Sequence, residues 1–299
     1  MQSKPLKTWG IVVQFLPKWL TTRFTTNRYK QEIETLSQDI EKRIAETLAP
    51  IDEKIAPKEI RPLINAINRL ITYFEDRSHH EQDFSANASH ELRTPLAGIR
   101  LQTEIAMSTD DKEIQQRAHQ NVLIAIDQNE RLIEQLLTLA RLTADRVELA
   151  MEKLDVGQLS AHVIANLQSL ADEKQISLKL ESQDNLTLRA SEESLSILLH
   201  NLIRNAINYI PEGSKVEVKT TTAKGGKIVL SVADNGPGIP EEKHEVVLRR
   251  FQKTANSAKS GSGLGLAIVK RICDLHHATL ELGRTTKKGG LKVTVTFNR

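Results

Sequence analysis

The stretch Phe84-Ser85-Ala86-Asn87-Ala88-Ser89-His90-Glu91-Leu92-Arg93-Thr94-Pro95-Leu96 carries apolar residues at 84, 88, 92 and 96, and Ile99 continues the row. That spacing is the stripe of an amphipathic helix. His90 lies two residues beyond Ala88, about 200° around the helix at 100° per residue. Its imidazole is therefore expected in solvent, with Thr94 four residues on along the same face and Glu91 on the flank. An exposed imidazole beside a carboxylate is a candidate nucleophile, because the carboxylate takes the Nδ1 proton and leaves Nε2 to attack. Pro95 has no N–H, so the carbonyl of Glu91 loses its helical partner and the helix loosens where His90 is presented. Taken alone, such a histidine is an ordinary surface residue.

Outward from this segment the stripe extends back through Ile60, Leu63, Ile67, Leu70, Ile71 and Phe74. Ser108-Thr109-Asp110-Asp111 then ends the helix and offers N-caps to the next one. That second helix carries Val122, Ile126, Leu132, Ile133, Leu136, Leu137 and Ala140. Two long helices with a short loop form a hairpin. Alone it buries little, so its apolar face is expected against a second copy in a four-helix bundle; the alternative is packing onto the C-terminal half of the same chain. Further upstream, Ile33, Leu36, Ile40, Ile44 and Leu48 mark another amphipathic helix, and Pro50, Pro57 and Pro62 separate it from the His90 helix.

The 299 residues suggest about two domains. Of 14 glycines only Gly10 and Gly98 precede Gly157, so long helices fill the first half. Beyond residue 150 strand-like runs (177–180, 216–221, 228–233, 279–282, 292–297) interleave with helical ones (156–174, 192–209, 265–275), the pattern of an α/β layer domain. Apolar residues at 39% and charged ones at 26% exclude a disordered tail and a membrane-embedded chain. A balance of +3 with mixed charges gives no nucleic-acid footprint, and 4% aromatics offer no base-stacking platform. The single cysteine, Cys273, excludes a disulfide framework and thiolate-rich zinc sites. The segment 10–20 is about half the length a spanning helix needs and is broken by Pro17 and Lys18. The pairs His79-His80 and His276-His277 lack the one-turn spacing of a helical metal clamp.

Four further segments carry chemistry. In Asn201-Leu202-Ile203-Arg204-Asn205-Ala206-Ile207-Asn208-Tyr209 two asparagines project from one helix face, and amide oxygens suit Mg²⁺. In Val232-Ala233-Asp234-Asn235-Gly236-Pro237-Gly238-Ile239-Pro240 a strand delivers Asp234 into a glycine turn, where a buried carboxylate suits an adenine amino group. Leu248-Arg249-Arg250-Phe251-Gln252-Lys253 is a basic, amphipathic turn. Gly261-Ser262-Gly263-Leu264-Gly265-Leu266 is a glycine loop entering a helix, whose N–H groups suit phosphate oxygens. It fits neither the Rossmann spacing nor Walker A.

The His90 segment resembles the phosphoacceptor box of bacterial two-component sensor histidine kinases, and the other four resemble that family's N box, aspartate turn, F box and glycine loop, in the family's order. The resemblance covers about residues 50–299. It implies a HisKA-type helical hairpin forming a dimeric four-helix bundle, followed by a Bergerat-type α/β sandwich that binds ATP and Mg²⁺. The implied division is 1–50, a helical segment without assigned role; 51–83, a signal-relay helix; 84–150, dimerisation and phosphotransfer; and 151–299, ATP binding. By resemblance His90 is phosphorylated, Glu91 is its base, and Thr94 orients water for dephosphorylation of a partner. Asn205 holds the metal, Asn201 sits on the phosphate side, and Tyr209 packs on the base. Asp234, Gly236 and Gly238 bind adenine. Phe251 anchors a lid, Arg250 and Lys253 meet the terminal phosphates, and Gly261, Gly263, Leu264 and Gly265 cradle them.

Two departures stand out: Asn208 replaces a frequent basic residue, and the F box lacks its usual acidic and aromatic neighbours. The implied partner is a response-regulator aspartate, with no nucleic acid. Membrane contact is expected only through a missing or truncated N-terminal anchor, which makes these residues the cytoplasmic portion of an inner-membrane sensor. Two alternatives are a catalytically inactive nucleotide-binding scaffold that sequesters a regulator and an ATPase of the same superfamily without phosphohistidine.

Overall fold

The computed structural model describes residues 52, 61–144, 149–184, 186–253, 261–286 and 289–298; the side chains of 63, 73–82 and 286 are outside that set. The expected helix at 29–48, the 10–20 segment, the side chains of His79-His80 and the lid stretch 254–260 lie outside the described residues. The chain divides into two compact units, residues 1–85 and 86–299. In the first, the described residues are helical from Arg61, with Ile64 and Ile71 buried. Among the described residues no helix is long and apolar enough to cross a membrane.

Helix α1 (Arg61–Ser108) contains Pro95 without ending there, and α2 spans Lys112–Thr143. Asp111 caps α2 as its position predicts, accepting hydrogen bonds from the N–H groups of Glu113 (2.8 Å) and Ile114 (3.3 Å). The helices run antiparallel: Gln115 Nε2 donates to the Thr109 carbonyl at the loop, and Asn121 Nδ2 reaches Gln102 Oε1 higher up. Their apolar stripe divides its burial. Leu132, Leu139 and Leu142 of α2 are buried, whereas Leu96, Leu101, Leu123, Ile124, Ile133 and Leu137 stay exposed.

The C-terminal lobe comprises β1 (Glu152–Asp155), α3 (Val156–Glu173), β2 (Ser177–Ser182), β3 (Thr187–Ala190), α4 (Glu192–Tyr209), β4 (Lys215–Thr222), β5 (Ile228–Asp234), α5 (Gly265–Leu275), β6 (Thr279–Thr286) and β7 (Gly289–Phe297). Five strands form one sheet in the order β2-β4-β5-β7-β6; β2 and β4 are parallel and the remaining neighbours antiparallel. Helices α3, α4 and α5 layer on it, α4 at the centre touching both other helices as well as β4 and β5. Every α and β run expected after residue 150 is present. The expectation lacked the small antiparallel pair of β1 and β3, whose four-residue strands are too short for a clear alternation signal.

The core explains the architecture. Leu195, Leu198, Leu199, Ile203 and Ile207 on α4 are fully buried, as are Val216, Val218, Leu230 and Val295 of the sheet. Burying one such side chain contributes roughly 2 kcal/mol. Asp155 and Ser191 cap α3 and α4 by accepting from Gln158 N (2.9 Å) and Ser194 N (3.3 Å). Helix α5 has no side-chain cap, so its N-terminal turn is left to the loop before it. Cys273 on α5 is sealed, and burial pushes its thiol up to about 12. The hairpin touches the lobe through α2 on α5, the packing that was the alternative expectation for its apolar face. The stripe is thus only partly covered: three of its leucines are buried, and its exposed residues are left over.

Candidate active site

Helix α4 brings Asn201 and Asn205 to one face because they lie four residues apart. Asn201 is buried and its Nδ2 donates to the Ile197 carbonyl (2.8 Å), which points Oδ1 away from its own helix. Opposite stands the first turn of α5. A Cβ on Gly265 would lie 2.8 Å from Asn205 Nδ2 and 3.3 Å from Asn201 Oδ1, so only glycine lets the two helices approach this closely. Gly263 adopts φ +72°, and its carbonyl accepts from Phe251 N (3.0 Å). A side chain on Gly261 would collide with the Tyr209 hydroxyl, so the loop closes onto that ring. Burial raises the phenol above its ordinary value.

Asp234 ends β5 and is buried. Its Oδ1 accepts from Gly236 N (2.9 Å) and Leu291 N (3.1 Å), which leaves Oδ2 to meet a donor from the cavity. Burial raises this carboxyl, and the two N–H donors oppose the rise. Gly238 passes under Gly290, where a Cβ would lie 2.8 Å from the Gly290 carbonyl.

One cavity of about 1120 Å³ joins these elements to the hairpin. His90, Glu91 and Thr94 line it, together with Asn201, Asn205, Tyr209, Asp234, Gly238, Lys253, Gly261, Gly263 and Gly265. His90 is exposed, as its helical phase requires. The Thr94 hydroxyl donates to the His90 carbonyl (3.2 Å). The Glu91 carboxylate meets Lys253 Nζ at 2.7 and 2.9 Å, both side chains being half-buried.

Four expected residues lie outside the cavity lining. Gly236 supports the Asp234 turn through its N–H, and Leu264 is buried beneath the loop. Phe251 holds φ +60° beside Gly263, while Arg250 donates to the Thr143 hydroxyl of α2 (3.3 Å). Asn208 accepts from Lys174 Nζ (3.1 Å), so a basic group is supplied there by the residue that caps the C-terminus of α3. Motif reading missed Gln135 of α2, which lines the cavity and bonds Ser262 and Asn201. Nothing in its helical repeat distinguishes it from its polar neighbours.

The residues fit a nucleotide with Mg²⁺. Among the described residues no cluster of three His, Cys, Asp or Glu could hold a metal alone. Amide oxygens plus phosphates and water are the donor set Mg²⁺ accepts, and the glycine turn against the asparagines is a cradle that a Cβ would fill.

A helical hairpin presenting an exposed histidine to an α/β lobe with such a cleft defines a histidine-kinase core. Two family models match it: the His Kinase A (phospho-acceptor) domain over residues 80–145, and the Histidine kinase-, DNA gyrase B-, and HSP90-like ATPase over residues 190–299. Sensor protein QseC of Salmonella typhimurium is 33% identical over 294 residues, 98% of this chain and 64% of QseC. Sensor protein BasS of Escherichia coli is 32% identical over 276 residues, 91% of this chain and 73% of BasS. The crystal structure of full-length ShkA in complex with AMPPNP matches 72% of this chain and 45% of ShkA, with TM-score 0.54 and 26% identity. The chain belongs to the bacterial two-component sensor histidine kinases. It spans less than two thirds of the length of QseC.

Proposed function

We propose that this chain transfers the γ-phosphoryl group of ATP to His90 and from there to an aspartate of a response regulator. The observation that carries the reading is the single cavity in which an exposed His90 faces the asparagine helix, the Asp234 turn and the glycine loop. Asp234 Oδ2 accepts from the adenine amino group, and Tyr209 covers the base. The loop N–H groups and the uncapped turn of α5 hold phosphate oxygens. Asn205 holds Mg²⁺ through its amide oxygen, Asn201 stands beside it, and the cation neutralises phosphate charge when bound.

His90 Nε2 attacks the γ-phosphorus in line. The N–P bond forms as the bond from phosphorus to the β–γ bridging oxygen breaks, and ADP leaves with that oxygen. Glu91 accepts a hydrogen bond from Nδ1–H and takes that proton as positive charge develops on the ring, which keeps Nε2 nucleophilic. For this Glu91 must leave Lys253, whose ammonium is then available to the terminal phosphates together with Arg250. Thr94, on the same face, orients water for dephosphorylation of the regulator. The exposed leucines and isoleucines of the hairpin support a homodimer through a four-helix bundle.

The domain division accords with these roles: 51–83 relays the signal, 84–150 dimerises and carries His90, and 151–299 binds ATP. The kinase portion works on the cytoplasmic side. Incubation with γ-labelled ATP tests the reading. Wild type acquires acid-labile, base-stable label, and His90→Gln loses it while still binding nucleotide. Equal labelling of both proteins would discard His90 as the acceptor.

A further inference from the structure

Two of the side-chain bridges from the hairpin to the lobe use groups that face the nucleotide cavity. Gln135 on α2 is the more informative. Asn201 Nδ2 donates to the Ile197 carbonyl, so Asn201 must offer its oxygen outward. Gln135 Nε2 meets that oxygen at 3.5 Å. The other end of the same amide, Oε1, accepts from Ser262 Oγ at 2.7 Å, and Ser262 Oγ in turn accepts from Leu264 N at 3.2 Å. The donor and acceptor roles along this chain are fixed by the Ile197 carbonyl at its far end. One amide of the hairpin therefore ties together both walls of the cleft, the asparagine helix and the glycine loop. The second bridge repeats the pattern, since Lys253 grips both oxygens of Glu91.

We propose that Gln135 is a positioning residue that competes with Mg²⁺·nucleotide for Asn201 and Ser262, so that nucleotide binding and these two Gln135 contacts exclude one another. The inference rests on the nucleotide reading given under the proposed function. A hydrated cation or a phosphate entering the cleft needs the Asn201 oxygen and the loop that Ser262 stabilises. The contact to Asn201 is long and is the one to yield first. Coupling is reciprocal: if nucleotide weakens the Gln135 contacts, removal of those contacts strengthens nucleotide binding by the same amount.

Gln135→Leu keeps the side-chain size and removes both hydrogen bonds. Titration of the full chain with AMPPNP and Mg²⁺ by calorimetry should show Gln135→Leu binding about three- to tenfold tighter than wild type, the worth of one net hydrogen bond. Gln135→Ala, which removes the whole amide and leaves the loop's own Ser262 bond intact, should shift affinity in the same direction. In ATP turnover the KM falls by more than kcat changes, a split that a merely structural role would not give. Unchanged or weaker binding by Gln135→Leu, with wild type binding normally, overturns the competition. If Gln135→Leu unfolds, the same outcome in Gln135→Ala overturns it. Absence of AMPPNP binding by wild type would instead overturn the nucleotide reading, and this inference with it.

Discussion

Leu199 on α4 and Leu123 on α2 are the same residue on helices of similar amphipathic pattern, yet Leu199 is fully buried and Leu123 is 62% exposed. Helix α4 lies across its own sheet, and its whole apolar stripe is covered from within the lobe. Helix α2 buries Ala118, Leu132, Leu139 and Leu142 and leaves much of its stripe exposed, Leu123, Ile133 and Leu137 among it. The apolar face of α4 is therefore covered within the lobe, while the hairpin has apolar surface beyond what the lobe covers. Periodicity reports that a face is apolar; it does not report what covers it.

The largest expected effect lies at the cleft of the lobe. Asn205→Ala should lower Mg²⁺-dependent labelling by a hundredfold or more, roughly the cost of losing a metal ligand or its support; retention of full activity would remove Asn205 from the metal site.

Next comes the leucine pair itself. Leu199→Ala should destabilise the lobe by about 3 kcal/mol in chemical denaturation. Leu123→Ala should leave the lobe transition within about 0.5 kcal/mol and instead weaken self-association in sedimentation. Equal losses from both variants would break the comparison.

A smaller effect comes from buried imidazoles. Burial lowers His200 and His276, aided by Arg204 at the first and His277 at the second, and opposed by Glu134 and by the Ile272 carbonyl respectively. Their folded pKa values lie below the unfolded one of about 6.5, so the unfolded chain protonates first. Stability should be full above that value and decline as pH falls through it. His276 has a structural reason to resist protonation, since its Nε2 accepts from Ser191 N (3.2 Å) at the cap of α4. His276→Gln should flatten the slope of stability between pH 7.5 and 5.5, measured by thermal or urea unfolding; an unaltered slope would remove this histidine from the effect. The smallest change is Arg100→Ala, which breaks an exposed pair with Glu104 and should cost about 0.3 kcal/mol or less.

Much of this molecule was legible in its sequence. The strands and helices after residue 150, the Asp111 cap, the solvent-facing His90 and the convergence of Asn205, Asp234 and Gly265 on one cleft all follow from local pattern or from motif order. The unread parts depend on contacts remote along the chain. Lys253 bonds Glu91 across 162 positions and Ser262 bonds Gln135 across 127. No local periodicity encodes such pairs. The β1–β3 ribbon escaped for a different reason: four residues per strand give too little alternation to count. The choice of α5 as a partner for α2 escaped because an apolar stripe is equally suited to several neighbours.

Cys273 has a practical consequence. It is the chain's only thiol, wholly enclosed, with a thiolate that burial disfavours at neutral pH. Native protein thus has almost no background reactivity toward maleimides. Cysteines placed at Met107 on the hairpin and at an exposed lobe position such as Lys227 can take up a fluorophore pair cleanly, and energy transfer between them would follow hairpin and lobe movement in real time.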